Sequence, residues 1–473
     1  MSGPARAGAS PLELARATLG GGDVRAWVVG GAVRDRLLGR ATDDVDLAVQ
    51  GDARGAARAL ARAARGAHFA LSDTFGGWRV VGPGHAWHVD LIPLRDGDLA
   101  ADLGARDFTV NAMAEPLAGG ELVDLHGGRD DLAARRLRAV SPRALADDPL
   151  RTLRAVRLAV ELGLTIEPAT GEAVRANASA LAGVAPERVF AELKRLVAAP
   201  APRAGLELLD AHGLTAVVLP ELGALHGVAQ NEFHHADVHD HTLEVLDAVV
   251  AIEADPAAAG LGDVAEPVAA LLAEPLADEL TRGGAMRWAA LLHDAAKPRT
   301  RGERPDGRVT FIGHDAEGAE LVRDVFRRLR ASQRLAQYVA ALTRHHLRLG
   351  FLVHERPLSR RAAWRYLRAT EPVAADVTIL TVADRLATRG RNAEPAIAAH
   401  LELAREMLGH AFAERAAGAR APLLRGDELA RELRLPPGPR LGELIARLEE
   451  DRYAGEIATR EDAVARAREL LGS

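Results

Sequence analysis

Cysteine is absent from this chain of 473 residues. That excludes disulfides, thiolate zinc sites, iron–sulfur clusters and a cysteine nucleophile, so any metal must be held by His, Asp or Glu. Aromatic residues make up only 4% of the chain, too few for widespread base-stacking platforms of the aromatic type. Lysine is nearly missing: Lys194 and Lys297 stand alone, so 58 of the 60 basic residues are arginines (60 − 2 = 58). Codon bias in a GC-rich genome accounts for that imbalance and for the many alanines. No run of about 18 uncharged apolar residues occurs, so no membrane helix is expected. Met1 to Gly22 lacks a charged-then-apolar leader pattern and contains Glu13, and a cytoplasmic protein is expected. The net charge of −6 argues against a general nucleic-acid coat protein but permits a local basic groove.

What is present has the balance of an ordinary globular protein, 48% hydrophobic and 27% charged. Its length allows roughly three or four domains. Residues 1–140 alternate short apolar strands with glycine turns. Ala26–Val29 reads as a buried strand ending at Gly30-Gly31, followed by a helix over Val33–Leu38 that Gly39 stops. Val45–Val49 reads as a second strand, and Trp78–Val81 with Ala86–Leu91 as a hairpin turning at Gly82-Pro83-Gly84. Residues 141–225 are helical by apolar spacing, with stops at Gly163 and Gly213. Residues 226–391 are helical and histidine-rich, and 392–473 form an Arg- and Glu-rich helical tail.

Gly30 and Gly31 let the backbone approach an anion where a strand passes into a helix, and Arg34 follows on the first helical turn. Alone that is a weak signal, because a Gly-Gly turn is commonly structural. Asp44-Val45-Asp46 changes its weight. Side chains two apart on a strand share a face, and two adjacent carboxylates are unfavourable unless a cation neutralises them. Magnesium favours carboxylate oxygens together with substrate phosphates, so the pair suits metal-dependent nucleotidyl transfer. Asp90 is either a third carboxylate or a product of surface alternation.

Gly30–Asp35, Leu38-Gly39-Arg40 and Asp44-Val45-Asp46 resemble the first motif of the bacterial-type (class II) tRNA nucleotidyltransferase and poly(A) polymerase family. Three blocks follow in that family's order: Arg106–Ala114, Asp124–Gly128 with Asp131-Leu132, and Asp147–Arg157. Pro186–Lys194 is similar to a later family helix. The resemblance implies an α/β nucleotidyltransferase head, a mixed sheet with helices, followed by an all-α neck and body. It implies that Asp44 and Asp46 hold Mg2+, and that Gly31 and Arg34, beside Gly30, contact a triphosphate. Arg106, Asp107 and Asn111 would frame the nucleotide, with Asp107 or Asn111 suited to ribose hydroxyls. Asp148 and Arg151 would read a base edge, and Arg151, Arg154 and Arg157 recur every three residues as one slowly turning basic face.

His241, His293-Asp294, His314, the pair His345-His346 and Asp384 resemble the HD phosphohydrolase pattern, which implies an all-α domain holding one or two divalent metals of unspecified identity. The ligands implied are His241, His293, Asp294, His314, His346 and Asp384, with His345 an alternative to His346. His234, His235 and His239 compete with His241 for the first position.

The expected function is template-independent addition of CMP and AMP to tRNA 3′ ends, with tRNA, CTP and ATP as partners. A poly(A) polymerase is one alternative, a metal phosphohydrolase whose head only binds RNA a second, and a non-enzymatic RNA binder a third. Ala105 replaces a frequent family arginine, and Asp147 a frequent glutamate. Only ten residues separate Arg95 from Arg106, where many CCA-adding members carry a longer flexible loop and CC-adding members a shortened one. C addition is therefore expected to exceed terminal A addition.

Overall fold

The computed structural model describes residues 10–21, 24–40, 42, 44–72, 76–230, 235–418 and 421–472. By their contacts they separate into two compact units, one ending at Val218 and the other beginning at Leu219.

The first unit is built on seven strands: β1 (Arg25–Val29), β2 (Asp44–Gln50), β3 (Ala67–Ser72), β4 (Gly77–Val81), β5 (His88–Pro93), β6 (Met113–Pro116) and β7 (Val123–Asp124). Their spatial order is β3-β4-β5-β2-β1-β6-β7, with β2 and β5 parallel and all other neighbours antiparallel. The mixed sheet expected from the sequence is present. Alternation along β2 decides where the chemistry sits. Val45, Leu47 and Val49 point into the main core, where they meet α1 (Pro11–Leu19), α2 (Gly31–Leu37) and α3 (Ala53–Ala64). Asp44 and Asp46 are therefore turned to the opposite face, beside Ala48. That face is closed further along the strand by a small cluster of Val29, Ala48, Leu94, Ala114 and Leu103, the last from α4 (Leu99–Gly104).

The helix after Gly30-Gly31 starts two residues earlier than the spacing suggests and ends at Leu37. The hairpin connection is longer than the three-residue turn expected: β5 begins at His88, because Trp87 packs under Gly82 so closely that a Cβ there would meet its ring at 2.4 Å. Helix α3 and strand β3 are additional to the elements expected from the sequence, and α3 is amphipathic, with Ala53, Ala56, Ala57, Leu60 and Ala61 on its buried face. Alanine supplies most of the buried face of α3, and Asp52 caps it by accepting from the Gly55 N–H at 2.9 Å.

Beyond the sheet, the first unit is helical: α5 (Gly128–Ala133), α6 (Ala144–Asp147), α7 (Arg151–Leu162), α8 (Pro168–Asn177), α9 (Pro186–Ala198) and α10 (Pro202–Ala211). Helix α7 buries Leu153, Val156, Ala159 and Leu162 at spacings of three, and Gly163 ends it in the left-handed region at φ +63°.

In the second unit the helix Arg282–Leu292 is buried on every side from Gly283 onward, so it is a core helix rather than an amphipathic one. It delivers His293 and Asp294 into the centre of the unit. Helices Val238–Ala254, His314–Arg328, Gln333–His345 and Ala374–Ala387 surround it. A short hairpin pairs Gly302–Glu303 with Val309–Thr310. The helical tail is present as Ala393–Ala417, Gly426–Leu433, Pro439–Ala454 and Arg460–Gly472, and the last three share a core around Leu429, Leu444 and Val464. No described helix is long and apolar enough to cross a membrane.

Candidate active site

In the first unit, a cavity of about 420 Å³ is lined by Gly30, Gly31, Arg34, Asp44, Asp46, Arg106, Asp107, Asn111, Asp148, Arg151, Arg154 and Arg157. The glycine turn, the Asp44/Asp46 pair and the nucleotide-framing and base-reading candidates therefore border one space, whereas Asp90 does not line it. Gly30 is required twice over. Its φ is +70°, and a Cβ would stand 3.0 Å from Arg106 Nη1 and 3.3 Å from Asp46 Oδ2. Any side chain there would push into the gap between the loop and the carboxylate.

Asp44 is exposed and lies 3.0 Å from His88 Nδ1, whereas Asp46 is half-buried. Burial pushes the Asp46 carboxyl above its ordinary value. Arg106 opposes the rise, and the carboxylates of Asp90 and Asp44 add to it. A divalent cation would relieve that cost, so this donor set fits a metal held by Asp44 and Asp46. Asp90 stands opposite Asp46 across the parallel β2–β5 pair, but Arg79 holds it through two hydrogen bonds of 2.7 Å.

The remaining polar groups form a chain. Arg34 donates to Asp35 at 2.9 Å and to Asn111 Oδ1 at 2.7 Å. Asn111 Nδ2 donates to Asp107 Oδ1 at 3.0 Å, and Asp107 Oδ2 lies 2.7 Å from Arg154. Burial alone would raise the Asp107 carboxyl, but Arg154, Asn111, the Phe108 N–H and Arg151 hold it below its ordinary value. Arg151 donates to the carbonyls of Arg106 (3.1 Å), Ala144 (3.0 Å) and Ala105 (2.8 Å), bracing the turn that carries Arg106. Asp148 accepts from Arg188 at 2.8 Å. Arg157 departs from the expected basic face. It is only 3% exposed, and Glu161 and Glu192 each bind it at 2.5 Å.

Thr42, Leu158 and Arg195 line the cavity without having been named in the sequence reading, and Asp35 was named only as part of the glycine motif. Arg195 was legible, because Arg188, Glu192 and Arg195 fall on one face of α9. The short stretch before Arg106 is ordered. Asp98 caps α4 by accepting from Ala101 N–H at 3.1 Å, Leu103 is fully buried, and Asp102 accepts from Arg106 Nη2 at 3.0 Å.

A second constellation lies in the other unit. His241 Nε2 is 3.0 Å from Asp384, and His293 Nε2 is 3.2 Å from Asp294. His314 Nε2 approaches the other Asp294 oxygen at 3.3 Å, with His346 Nε2 3.9 Å from that same oxygen. All six predicted ligands converge. The Nδ1 atoms of His293, His314 and His346 bond to the carbonyls of Ala290, Phe311 and Thr343 at 2.8, 2.6 and 2.7 Å, which aims each Nε2 at the centre. His293 Nε2 and Asp294 Oδ1 are buried with no hydrogen bond of proper geometry, an arrangement a cation would satisfy. Two groups of three, His241-His293-Asp294 and Asp294-His314-His346, have donor atoms within 4.8 Å of one another.

Burial would raise Asp294, but His293 and Lys297 hold it well below the carboxylate range. Burial and the charge of His293 push His346 down to about 4, the neutral form a metal ligand needs. His345 instead accepts from Arg348 at 2.9 Å, which assigns the inward role to His346. His235 pairs with Glu244 and His239 stacks on His226, while His234 lies outside the described residues. Lys297 was counted but not placed by the sequence reading. One turn after Asp294, its Nζ stands 2.6 Å from that carboxylate.

A protein-family model described as "Poly A polymerase head domain" matches residues 26–90 and 89–138. "Probable RNA and SrmB- binding site of polymerase A" matches 163–225, and "HD domain" matches 238–389. The chain is 40% identical to the A-adding tRNA nucleotidyltransferase of Deinococcus radiodurans, over 93% of this chain and 94% of the relative. It is 35% identical to the CC-adding tRNA nucleotidyltransferase of Thermus thermophilus, over 93% and 92%. With the multifunctional CCA protein of Halorhodospira halophila it shares 35% over 70% and 75%. Among solved structures, a CCA-adding enzyme in its apo form superposes with a TM-score of 0.64 at 19% identity, covering 98% of this chain and 93% of the other. The Thermotoga maritima CCA-adding enzyme complexed with tRNA gives 0.59 at 19%, covering 95% and 92%.

Proposed function

The chain belongs to the tRNA nucleotidyltransferase family, and from that premise we propose that its head adds nucleotides from CTP or ATP to the 3′ end of tRNA in the cytoplasm, with Mg2+ held by Asp44 and Asp46. One observation carries this reading: the Asp44/Asp46 face, the glycine turn and the arginines all border a single cavity. The metal would activate the RNA 3′-hydroxyl and neutralise charge at the α-phosphate and the leaving pyrophosphate.

The protein's own part is positioning. The Gly30-Gly31 backbone and Arg34 receive the triphosphate, and the Asp107–Asn111 pair meets the ribose. Asp148 and Arg151 present an acceptor and a donor to the base edge. Three of the five guanidinium N–H groups of Arg151 are committed to carbonyls, which leaves two for a base. Function divides the chain into a head (1–140), a neck and body (141–225), an HD domain (226–391) and a tail (392–473). The HD centre is a metal-dependent phosphohydrolase, on the strength of its orphaned, inward-facing donors.

Within the CCA end, a partial product is favoured. The α4 segment is short, capped and buried at Leu103, and it leaves no slack for a lever that resets the pocket from cytosine to adenine. That supports C addition over terminal A addition. The second reading, A addition alone, rests on the 40% identity with the A-adding relative. Labelled CTP and ATP offered to tRNAs ending before CCA, after C and after CC decide between them. Efficient conversion of tRNA lacking all three nucleotides into CCA-ended product would overturn both.

A further inference from the structure

The HD centre opens into a cavity of about 500 Å³, within the range of small-molecule sites. Its wall carries four cationic side chains: Lys297, Arg304, Arg308 and Arg385. They are not equivalent. Lys297 is spent on Asp294 and on Gln230 Oε1, at 2.6 and 2.7 Å. Arg304 and Arg308 stand on the exposed hairpin Gly302–Thr310, with no ion pair among the described residues. Arg385 Nε is buried without a hydrogen-bond partner. An exposed arginine is ordinarily just solvated, and most arginines in this chain that face carboxylates are paired with them. Two guanidiniums without an ion pair on one hairpin, and a third whose Nε is unsatisfied while its Nη2 reaches the Thr388 carbonyl at 3.4 Å, all on the wall of the same cavity, point instead to an anion.

We propose that Arg304, Arg308 and Arg385 form a second anion subsite at the mouth of the HD centre, so that its preferred substrate carries two phosphate groups. This rests on the phosphohydrolase reading of that centre. One phosphomonoester sits over the histidines, where water adds to phosphorus, the ester P–O bond breaks, and a water proton leaves with the alcohol. The second phosphate is held between the guanidiniums, which suit bidentate contact with its oxygens. Lys297 Nζ also lies 5.3 Å from the Phe311 ring centroid, a cation–π contact beside its bonds to Asp294 and Gln230. A free nucleoside bisphosphate and an RNA end bearing a terminal phosphate share this chemistry.

The test uses the full chain loaded with Mn2+. Hydrolysis is compared for adenosine 3′,5′-bisphosphate, a short oligoribonucleotide with a 3′-phosphate, and adenosine 3′-monophosphate. The first or second should show a KM roughly ten-fold below that of the monophosphate, and which of them does so identifies the source of the second phosphate. In R304A/R308A that preference should fall below about two-fold with kcat little changed, and R304K/R308K should restore most of it. Equal KM values for all three, or a preference that survives R304A/R308A, overturns the subsite. If nothing is hydrolysed, the phosphohydrolase reading fails instead. Calorimetric binding of the same three ligands then decides the subsite alone: tighter binding of a two-phosphate ligand that R304A/R308A abolishes upholds it, and equal binding removes it.

Discussion

The two constellations of carboxylates and cationic or imidazole groups, one in the head and one in the HD domain, meet the same electrostatic problem in opposite ways. In the head, most charged groups answer one another: Arg34, Asn111, Asp107 and Arg154 form a polar chain, though Arg154 Nε has no hydrogen bond, and Asp90 is neutralised by Arg79. The Asp44/Asp46 face, where burial and like charge raise the Asp46 carboxyl, is the part of that network a cation would complete. In the HD centre the donors are buried, fixed through their second nitrogens to backbone carbonyls, and partly orphaned. An open site that must admit a triphosphate and an RNA end can hold its charges in mutual reserve. A closed site built around an ion has no need for such a reserve, and pays in unsatisfied atoms when the ion is gone.

The largest break of this comparison is D46N. Removing half of the metal grip should lower CTP and ATP incorporation by at least about 10³-fold, while metal content at the HD centre, read by elemental analysis, stays unchanged. Near-normal incorporation would sink the head assignment. Next, H293A/D294A should abolish metal-dependent phosphomonoester hydrolysis and remove the HD metal, yet leave nucleotide addition within about two-fold. Loss of both activities would mean that the HD metal is structural for the whole chain.

A smaller effect separates reading from catalysis. D148A removes the acceptor beside Arg151 and should cost about 10–100-fold in discrimination against UTP and GTP, measured by competition among the four triphosphates. Unchanged discrimination would move base reading elsewhere in the cavity.

The smallest expected effect concerns stability. Asp131 is fully buried, accepts from Thr109, Arg136 and Arg138 at 2.6, 2.6 and 2.8 Å, and is held below its ordinary value because these bonds outweigh burial. Its native pKa is depressed, so its contribution is fully present above the unfolded value near 4 and is lost as pH falls through the lower native value. D131N should therefore cost about 1–3 kcal/mol in urea unfolding at pH 7. The gap from wild type should narrow steadily below about pH 4; a gap that is constant with pH would refute the charge argument.

Much of both sites was legible because the chemistry is local in sequence. Two carboxylates at a spacing of two on a strand share a face wherever that strand goes, and a glycine turn before a helix is a backbone property. The same holds for His293-Asp294 at the end of a core helix. Other parts were not local. Which face of α3 is buried depends on its packing against the sheet, since its buried face is mostly alanine with arginines opposite, and Thr42 lines the head cavity without any pattern of its own.

The residue order by itself determined the strand–turn–helix of the head, the carboxylate pair, the helical body and the adjacent His293-Asp294, since each depends on periodicity or on adjacent residues. Only the tertiary structure decided which charges are free. Arg157 looks like its neighbours Arg151 and Arg154 by spacing, but Glu192 from another helix claims it. His345 and His346 are adjacent and identical, yet the turn of one helix sends one to Arg348 and the other toward Asp294 and the histidine cluster. Those choices depend on partners 35 residues away in one case and on helical phase in the other. Pairing energies act across space rather than along the chain, so sequence spacing alone does not resolve them.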